Sequence, residues 1–535
     1  MQIRIFLTLF LFTLGSSIFA QHQVGVKIND TVVLEAGPFR GDIQWQVSED
    51  QVNWSDIQNE TSPVLTQQIL FLPTYFRAKI VEGSCAPTYS DVTVVIESTA
   101  MLWSDPITWN GSKPVAGQIV TIPEGKDIVL DENPPALGGL TIEGKLIFAD
   151  ENLSLTSKYI VVHGTLQIGT ESDPFTHNAV ITLNDNNTAA SVMGMGTRGI
   201  IVMGGTLEMH GNPPPVVWTR INKHAAAGAT TIELQNTVSW RSGDEIVIAP
   251  TDYYLAANSS SVTQRTSVTN TNGNVLTLNN SLNAFRWGLL QYATTSGMSL
   301  TPSNLIVPPT PDTAEKKTST VLDERAEVGH LTRNIVIQAP NDALWTSEGF
   351  GVHIMIGPSS TAHVEGVEIK RGGQRGRLAR YAFHWHQLSY SGTQTLSDAT
   401  GQYFRKSSIN TSANRGVVIH GTNGVTIKDN VIYDVRGHGV FTEDAVERRN
   451  VIDGNLVLYV RPSSQPLKIH EGGGGLDRGP AGFWISNPDN TLINNVAADC
   501  RSNGFWLAFP VQPWGLNSSV LDTRDGLLLN PSRIL

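Results

Sequence analysis

Apolar and polar residues alternate along this chain in short runs, the period of a strand with one buried face. Between residues 22 and 98 such runs occur at Val32–Leu34, Ile43–Val47, Tyr75–Ile80 and Val92–Ile96, separated by turn residues. With Trp45 inside one run and Tyr75 opening another, they predict an immunoglobulin-like β-sandwich that lacks the disulfide. Its expected role is a spacer or a weak adhesion module. From 101 to 221 the runs shorten and glycine punctuates them, at Gly117, Gly125, Gly139, Gly144, Gly164 and Gly169. Gly139-Leu-Thr-Ile-Glu-Gly144-Lys-Leu-Ile-Phe148 is one example. Strands this short cannot stand alone, and glycine permits tight corners between them.

Residues 222–320 read as a small β insert, with the runs Thr231–Leu234, Trp240–Ile248 and Val275–Leu278, and a Pro-, Thr- and Lys-rich exposed loop over about 300–319. From Val321 the runs resume as Asn334–Gln338, Val364–Ile369 and Gly424–Ile432. They fit the coils of a right-handed parallel β-helix, in which Asn turns corners and Val or Ile fills the interior. The repeat is visible without gaps: Ser407–His420 aligns with Asn430–Glu443, and Asn495–Leu507 fits the same frame. Gly416, Gly439 and Gly504 mark the copies, 23 and then 65 residues apart, or roughly 22 residues per turn, a solenoid period. The fold class is therefore all-β. The expected units are 22–98, 101–221, 222–320 and a β-helix over 321–535.

Composition agrees with that class. Only 16% of the 535 residues are charged and Gly numbers 49, as in extracellular β proteins. A net charge of −11 gives no overall attraction for nucleic acid or for an anionic polymer, so an anionic ligand needs a local basic patch. Residues 1–20 read as a signal peptide: Arg4, an apolar core over Ile5–Leu14, and Ile18-Phe-Ala20 before a cleavage point. No later stretch has the ~20 apolar residues of a membrane span, so the protein is expected to be secreted or at the cell surface. The two cysteines, Cys85 and Cys500, lie in different units and read as buried small apolar residues. The segment Leu527–Leu535 offers no polar cap for an open solenoid end, so the β-helix is expected to be truncated.

The candidate chemistry clusters late in the chain. In Arg380-Tyr-Ala-Phe-His-Trp-His386 the two histidines share one face of a strand and Trp385 takes the other. Two imidazoles on one face suit metal binding or acid–base work; the structural alternative is a backbone-satisfied core histidine. The 23-residue offset sets His420 beside Glu443, with Asp444 turned to the opposite face. A carboxylate pair suits glycosidic hydrolysis. His with Arg would serve β-elimination from a uronate, and the bland alternative is a solvated acidic loop or a calcium site. Arg371, Arg375, Arg377 and Arg380 supply the local basic patch that grips carboxylates or sulfates. Trp484, Trp506 and Trp514 could stack on sugar rings. Core packing is preferred for Trp506, and Trp514 is the candidate substrate contact. Asp244-Glu245 and Asp323-Glu324 are weak calcium candidates.

Two sets of motifs carry a family resemblance. Trp103-Ser-Asp-Pro-Ile-Thr-Trp109-Asn-Gly111, the glycine spacing and Gly169-Thr-Glu-Ser-Asp-Pro-Phe175 resemble the eight-glycine (G-eight) domain. Glu327–Asn334, Val352–Ile356, Arg380–His386, Val418–Gly424, Gly437–Asp444, Phe483–Asn490 and Gly504–Trp506 resemble the β-helix of the cell-migration-inducing hyaluronidase and transmembrane protein 2 family. The likeness covers roughly 101–535 and leaves out the first unit; Ala382 stands where that family usually has proline. It implies extracellular cleavage of hyaluronan or a related acidic glycosaminoglycan, with calcium dependence in some members. The reading is then a secreted glycosidase with His386, His420 and Glu443 in proton transfer, supported by His384 and Asp444. Arg375, Arg377, Arg380 and Trp514 would hold the acidic polysaccharide. A polysaccharide lyase and a non-catalytic glycan-binding adhesin are the alternatives, and no metal ligand set is fixed.

Overall fold

The structure is a computed structural model that describes residues 2–7, 22–26, 31–37, 39–97, 100–252, 263–305, 320–391, 394–467, 479–510 and 513–520. Three long sheets dominate it, of ten, ten and eight strands, and every pairing between their strands is parallel. Sheet one runs from Met101–Leu102 to Thr491–Ile493, sheet two from Ile119–Ile122 to Asn503–Leu507, and sheet three from Leu153–Ser157 to Val496–Cys500. Successive coils add strands to these sheets, which makes a parallel β-helix. One apolar core follows its interior from Trp103 to Ile485, filled by Val, Ile and Leu that alternate with outward residues.

The residues expected as separate units, 101–221 and 321–535, share these sheets. Thr206–His210 pairs with Thr361–Glu365, and Gly199–Val202 with His353–Ile356. Between them the chain leaves the coil to build an antiparallel sheet. Its strand order is Trp218–Arg220, Glu327–His330, Glu245–Ile248, Gln264–Asn272, Val275–Leu278 and Thr231–Glu233. Coil strands therefore resume at Ile335, not at Val321, because Glu327–His330 bonds to the insert. Val247 and Leu331 pack on Val431, Leu456 and Leu458, fixing the insert to the outer face of sheet three. Residues 306–319 of the expected loop lie outside the described residues.

Glycine and asparagine shape different corners. A Cβ on Gly164 would overlap the Gly144 carbonyl, and one on Gly205 would lie 2.6 Å from the Gly164 carbonyl. These glycines stack one coil above another, where the backbones approach too closely for a side chain. In later coils Asn430, Asn455 and Asn495 form a ladder. Asn430 Nδ2 donates to Asn455 Oδ1 at 2.9 Å, and Asn455 Nδ2 donates to Asn495 Oδ1 at 2.9 Å. Each amide thus satisfies turn backbone that water cannot reach. The run Val364–Ile369, read as one strand, is two strands on different sheets, Thr361–Glu365 and Val367–Gly372, turned at Gly366.

The described strands between Gln2 and Glu97 form two further sheets, with a core of Trp45, Phe76, Ala78, Ile80 and Val95. Trp45 is fully buried and donates its indole N–H to Ser62 O at 2.9 Å. Of the expected leader, Gln2–Leu7 runs parallel to Thr31–Ala36, and residues 8–20 lie outside the described residues. Residues 521–535 of the expected truncated end also lie outside them. The cysteines depart from expectation. Cys85 is exposed, because it sits on a turn after Thr74–Val81 rather than in a strand. Cys500 is half-buried, and burial pushes its thiol up to about 12.

Candidate functional site

Sheet two sets the site. Phe383–His386 pairs with Val417–His420 so that His386 stands beside His420, and Ile419 stands beside Thr442. One residue further, the same register brings Glu443 to His420. Phe383, Trp385, Val417, Ile419 and Val440 point into the coil, which sends His384, His386 and His420 outward together. The three rings pack on one another: His384 and His420 are stacked at 5.8 Å, and His386 meets both edge-on at 5.0 and 4.8 Å.

The outer face is covered rather than open. His384 is fully buried, His420 is 5% exposed, and His386 is half-buried. His384 Nδ1 lies 3.2 Å from Ala379 O, whereas its Nε2 has no hydrogen-bond partner. His420 Nε2 lies 2.8 Å from Asp444 Oδ2, and its Nδ1 faces His386 Nδ1 at 3.0 Å and Glu443 Oε2 at 3.8 Å. Gln387 Nε2 also reaches His420 Nε2 at 2.9 Å.

Both carboxylates meet the same imidazole, contrary to the expectation that Asp444 would point away. The strand ends at Thr442, and Ala445 takes a left-handed φ of 68°, so residues 443 and 444 lie on a turn rather than in extended chain. Glu443 Oε1 accepts from the Tyr381 hydroxyl at 3.3 Å and lies 3.8 Å from Arg415 Nη1, while its Oε2 has no hydrogen-bond partner. Asp444 Oδ2 accepts from the Asn517 backbone and side chain at 3.2 and 3.0 Å.

Electrostatics divide the histidines. Burial, with the neighbouring imidazoles, holds His384 well below the ordinary range and His386 down at about 3. Burial also opposes charge on His420, but Glu443 and Asp444 outweigh it and raise that imidazole to about 9. Glu447, buried beside Asp444, is pushed up.

Sequence reasoning passed over four of these neighbours. Glu447 Oε1 accepts from the backbone N–H of Gly421 and Asp444 at 2.8 and 2.9 Å, tying the two turns together. Tyr381, Arg415 and Asn517 complete the shell. Tyr381 and Arg415 lie inside motifs that were legible, but only the coil register shows that they meet Glu443.

The arginines are placed elsewhere. Arg375 and Arg377 line a cavity of about 280 Å³ with Ser347, Glu348, Gly349, Phe350, Gln374 and Gln465. Arg380 is half-buried and donates to Gln374 Oε1 at 2.9 Å. Trp514 is half-buried; its indole N–H donates to Glu443 O at 2.6 Å and its backbone N–H to Asp444 O at 3.1 Å. Trp484 and Trp506 pack with Val418 and Phe441 on the outer face of sheet two, a core of its own outside the coil.

Nor do the calcium candidates offer a free oxygen cage. Asp244 bonds His330 at 2.8 Å, Glu245 pairs with Arg265 at 2.5 Å, and Asp323 pairs with Arg325 at 2.7 Å. One ring nitrogen from each of His384, His386 and His420 lies within 4.8 Å of the others. That nitrogen donor set does not suit calcium, which takes oxygen ligands.

Fold and sequence define a class, β-helix proteins that carry a G8 domain. Residues 108–222 match the family model of the G8 domain, and residues 349–526 match that of the CEMIP beta-helix. The chain is thus similar to both models, one after the other along the β-helix. Residues 15–98 match a domain of unknown function, DUF8696. Fibrocystin-L of Mus musculus is 33% identical over 456 residues, covering 78% of this chain and 10% of that protein. Human Fibrocystin-L is 33% identical over 453 residues, covering 77% and 10%. A G8 domain-containing protein of Dictyostelium discoideum is 27% identical over 432 residues, covering 76% and 34%. The chain thus spans about a tenth of the length of the Fibrocystin-L proteins it matches. A solved tailspike, gp49 of Pseudomonas phage LKA1, aligns over 67% of this chain and 50% of that one, at 11% identity and a TM-score of 0.17.

Proposed function

We propose that this chain is a secreted or cell-surface carbohydrate-active protein that hydrolyses an acidic polysaccharide, hyaluronan or a related glycosaminoglycan, at the histidine–carboxylate cluster of sheet two. The observation that carries this reading is His420, held between Glu443 and Asp444 beside a half-open His386. Such a relay moves a proton between a solvent-facing imidazole and buried carboxylates. Glu443, with one oxygen lacking a hydrogen-bond partner, is the group best placed to take or give it. Asp444 orients His420. Arg375 and Arg377, in their own cavity, would hold an acidic sugar away from the bond that breaks.

Elimination is the second reading, supported by His386 as the cluster's half-open base. It also needs a cation to neutralise the uronate carboxylate. Arg415, the arginine against Glu443, is fully buried there, which favours hydrolysis. No helix among the described residues is long and apolar enough to cross a membrane.

The test is product analysis after incubation with a panel of glycosaminoglycans. Shorter chains with saturated ends support hydrolysis, and ends that absorb in the ultraviolet replace it with elimination. Retained binding without shortening, with and without calcium, makes the protein a glycan-binding module instead.

A further inference from the structure

The three histidines raise a question that proton transfer leaves open. His386 Nδ1 and His420 Nδ1 face each other at 3.0 Å, while His384 Nε2 is buried in the same cluster without a partner. A buried ring nitrogen with no donor or acceptor costs free energy unless something else occupies its lone pair. Two ligands about 2.0–2.1 Å from one ion, at tetrahedral or octahedral angles, stand roughly 2.9–3.4 Å apart. The His386–His420 separation falls in that window, and one nitrogen of His384 lies within 4.8 Å of both.

We propose that His384, His386 and His420 bind one divalent transition-metal ion. Three neutral imidazoles are a donor set for zinc or cobalt, not for calcium or magnesium. Sheet two supplies the rigidity: two ligands come from one strand and the third from its hydrogen-bonded neighbour in fixed register. The surrounding shell is built as metal sites require. Asp444 accepts from His420 Nε2 at 2.8 Å, fixing that ring so that Nδ1 faces the cluster, the carboxylate–histidine arrangement that orients a ligand. Ala379 O does the same for Nδ1 of His384 at 3.2 Å, leaving Nε2 for the ion. Glu443 Oε2, 3.8 Å from His420 Nδ1, stands ready as a fourth ligand or as a base beside it. The half-buried His386 gives the ion a way in. Binding displaces the proton of His420 and puts a dication among three buried carboxylates, those of Glu443, Asp444 and Glu447.

This inference concerns the same cluster that the proposed cleavage uses, but its test needs no activity, so its failure and the failure of that reading are distinguishable. The full chain, stripped with a chelator and dialysed, is titrated with Zn²⁺ alone by calorimetry and with Co²⁺ by visible absorption. One ion per chain at a Kd of about 1 μM or tighter is expected, with cobalt d–d bands of nitrogen ligation. His386→Ala, the least buried ligand, should weaken Zn²⁺ at least about 100-fold, and Asp444→Asn by roughly 10–100-fold. Circular dichroism is the check that both variants fold, and His177→Ala, an exposed histidine elsewhere, should bind like the parent. Zn²⁺ binding that is equal in the parent and in His386→Ala, or absent from both, overturns the site.

Discussion

The first strand of sheet two and its later strands share one register and yet present opposite outer faces. In its first strand, Ile119–Ile122, the outward Ile119 is 62% exposed and Thr121 is also exposed. Three hundred residues later, His384, Val418, His420, Phe441 and Trp484 occupy outward positions and are 0–5% exposed. The interior is alike in both places, with branched aliphatic residues filling the coil. What differs is coil length. Leu140 pairs with Ile160, an offset of 20 residues, whereas Phe383 pairs with Val417, an offset of 34. The added residues carry Gln387 and Ser389 across the outer face, where Gln387 reaches His420 and the Ser389 backbone N–H donates to Gly421 O. A scaffold that repeats can vary its loops without disturbing its core.

The largest break in this comparison should come from the covered end. Trp484→Ala removes the centre of the outer aromatic cluster and should cost about 3–5 kcal/mol, read as a lower denaturant midpoint. Asn455→Ala interrupts the corner ladder, leaving Asn430 and Asn495 without their amide partner; about 3 kcal/mol is expected from the unsatisfied groups. A milder probe is pH. Burial, reinforced by Arg380, pushes His353 down to about 3 from the ordinary 6.5. The unfolded chain therefore binds the proton that the fold refuses, and stability is lost as pH falls from about 6.5 towards 3. By pH 5 the loss is about 2 kcal/mol from this residue, and a His353→Gln chain should show a flatter dependence in thermal melts. Smallest of all is Ile119→Thr at the bare end, expected within about 0.5 kcal/mol of the parent. A large cost there would show that the exposed face is covered after all.

The coil period was legible because aliphatic residues recur at fixed offsets, and the pairing of His420 with Glu443 followed from a 23-residue count that the register reproduces. Corners were harder to read. Val364–Ile369 looks like one strand because Gly366 is a single residue, and only its left-handed φ of 67° reveals the turn. Asp444 was misdirected for the same reason, since alternation holds only while the chain stays extended. The arginines show the opposite limit. Four within ten residues lie beside the histidines in sequence, but Arg375 and Arg377 turn to a cavity bounded by Phe350 and Gln465, which arrive from other coils. Glu447 and Asn517 carried no periodic signal: a local turn folds Glu447 back onto Asp444, and tertiary contact alone brings Asn517 there.

The most direct check of the central claim is the chain length of hyaluronan, followed by size-exclusion chromatography, in the presence of the parent and of a folded Glu443→Gln chain. Progressive shortening by the parent is expected, with a loss of at least about 100-fold in rate for the variant. Equal shortening by both would contradict it.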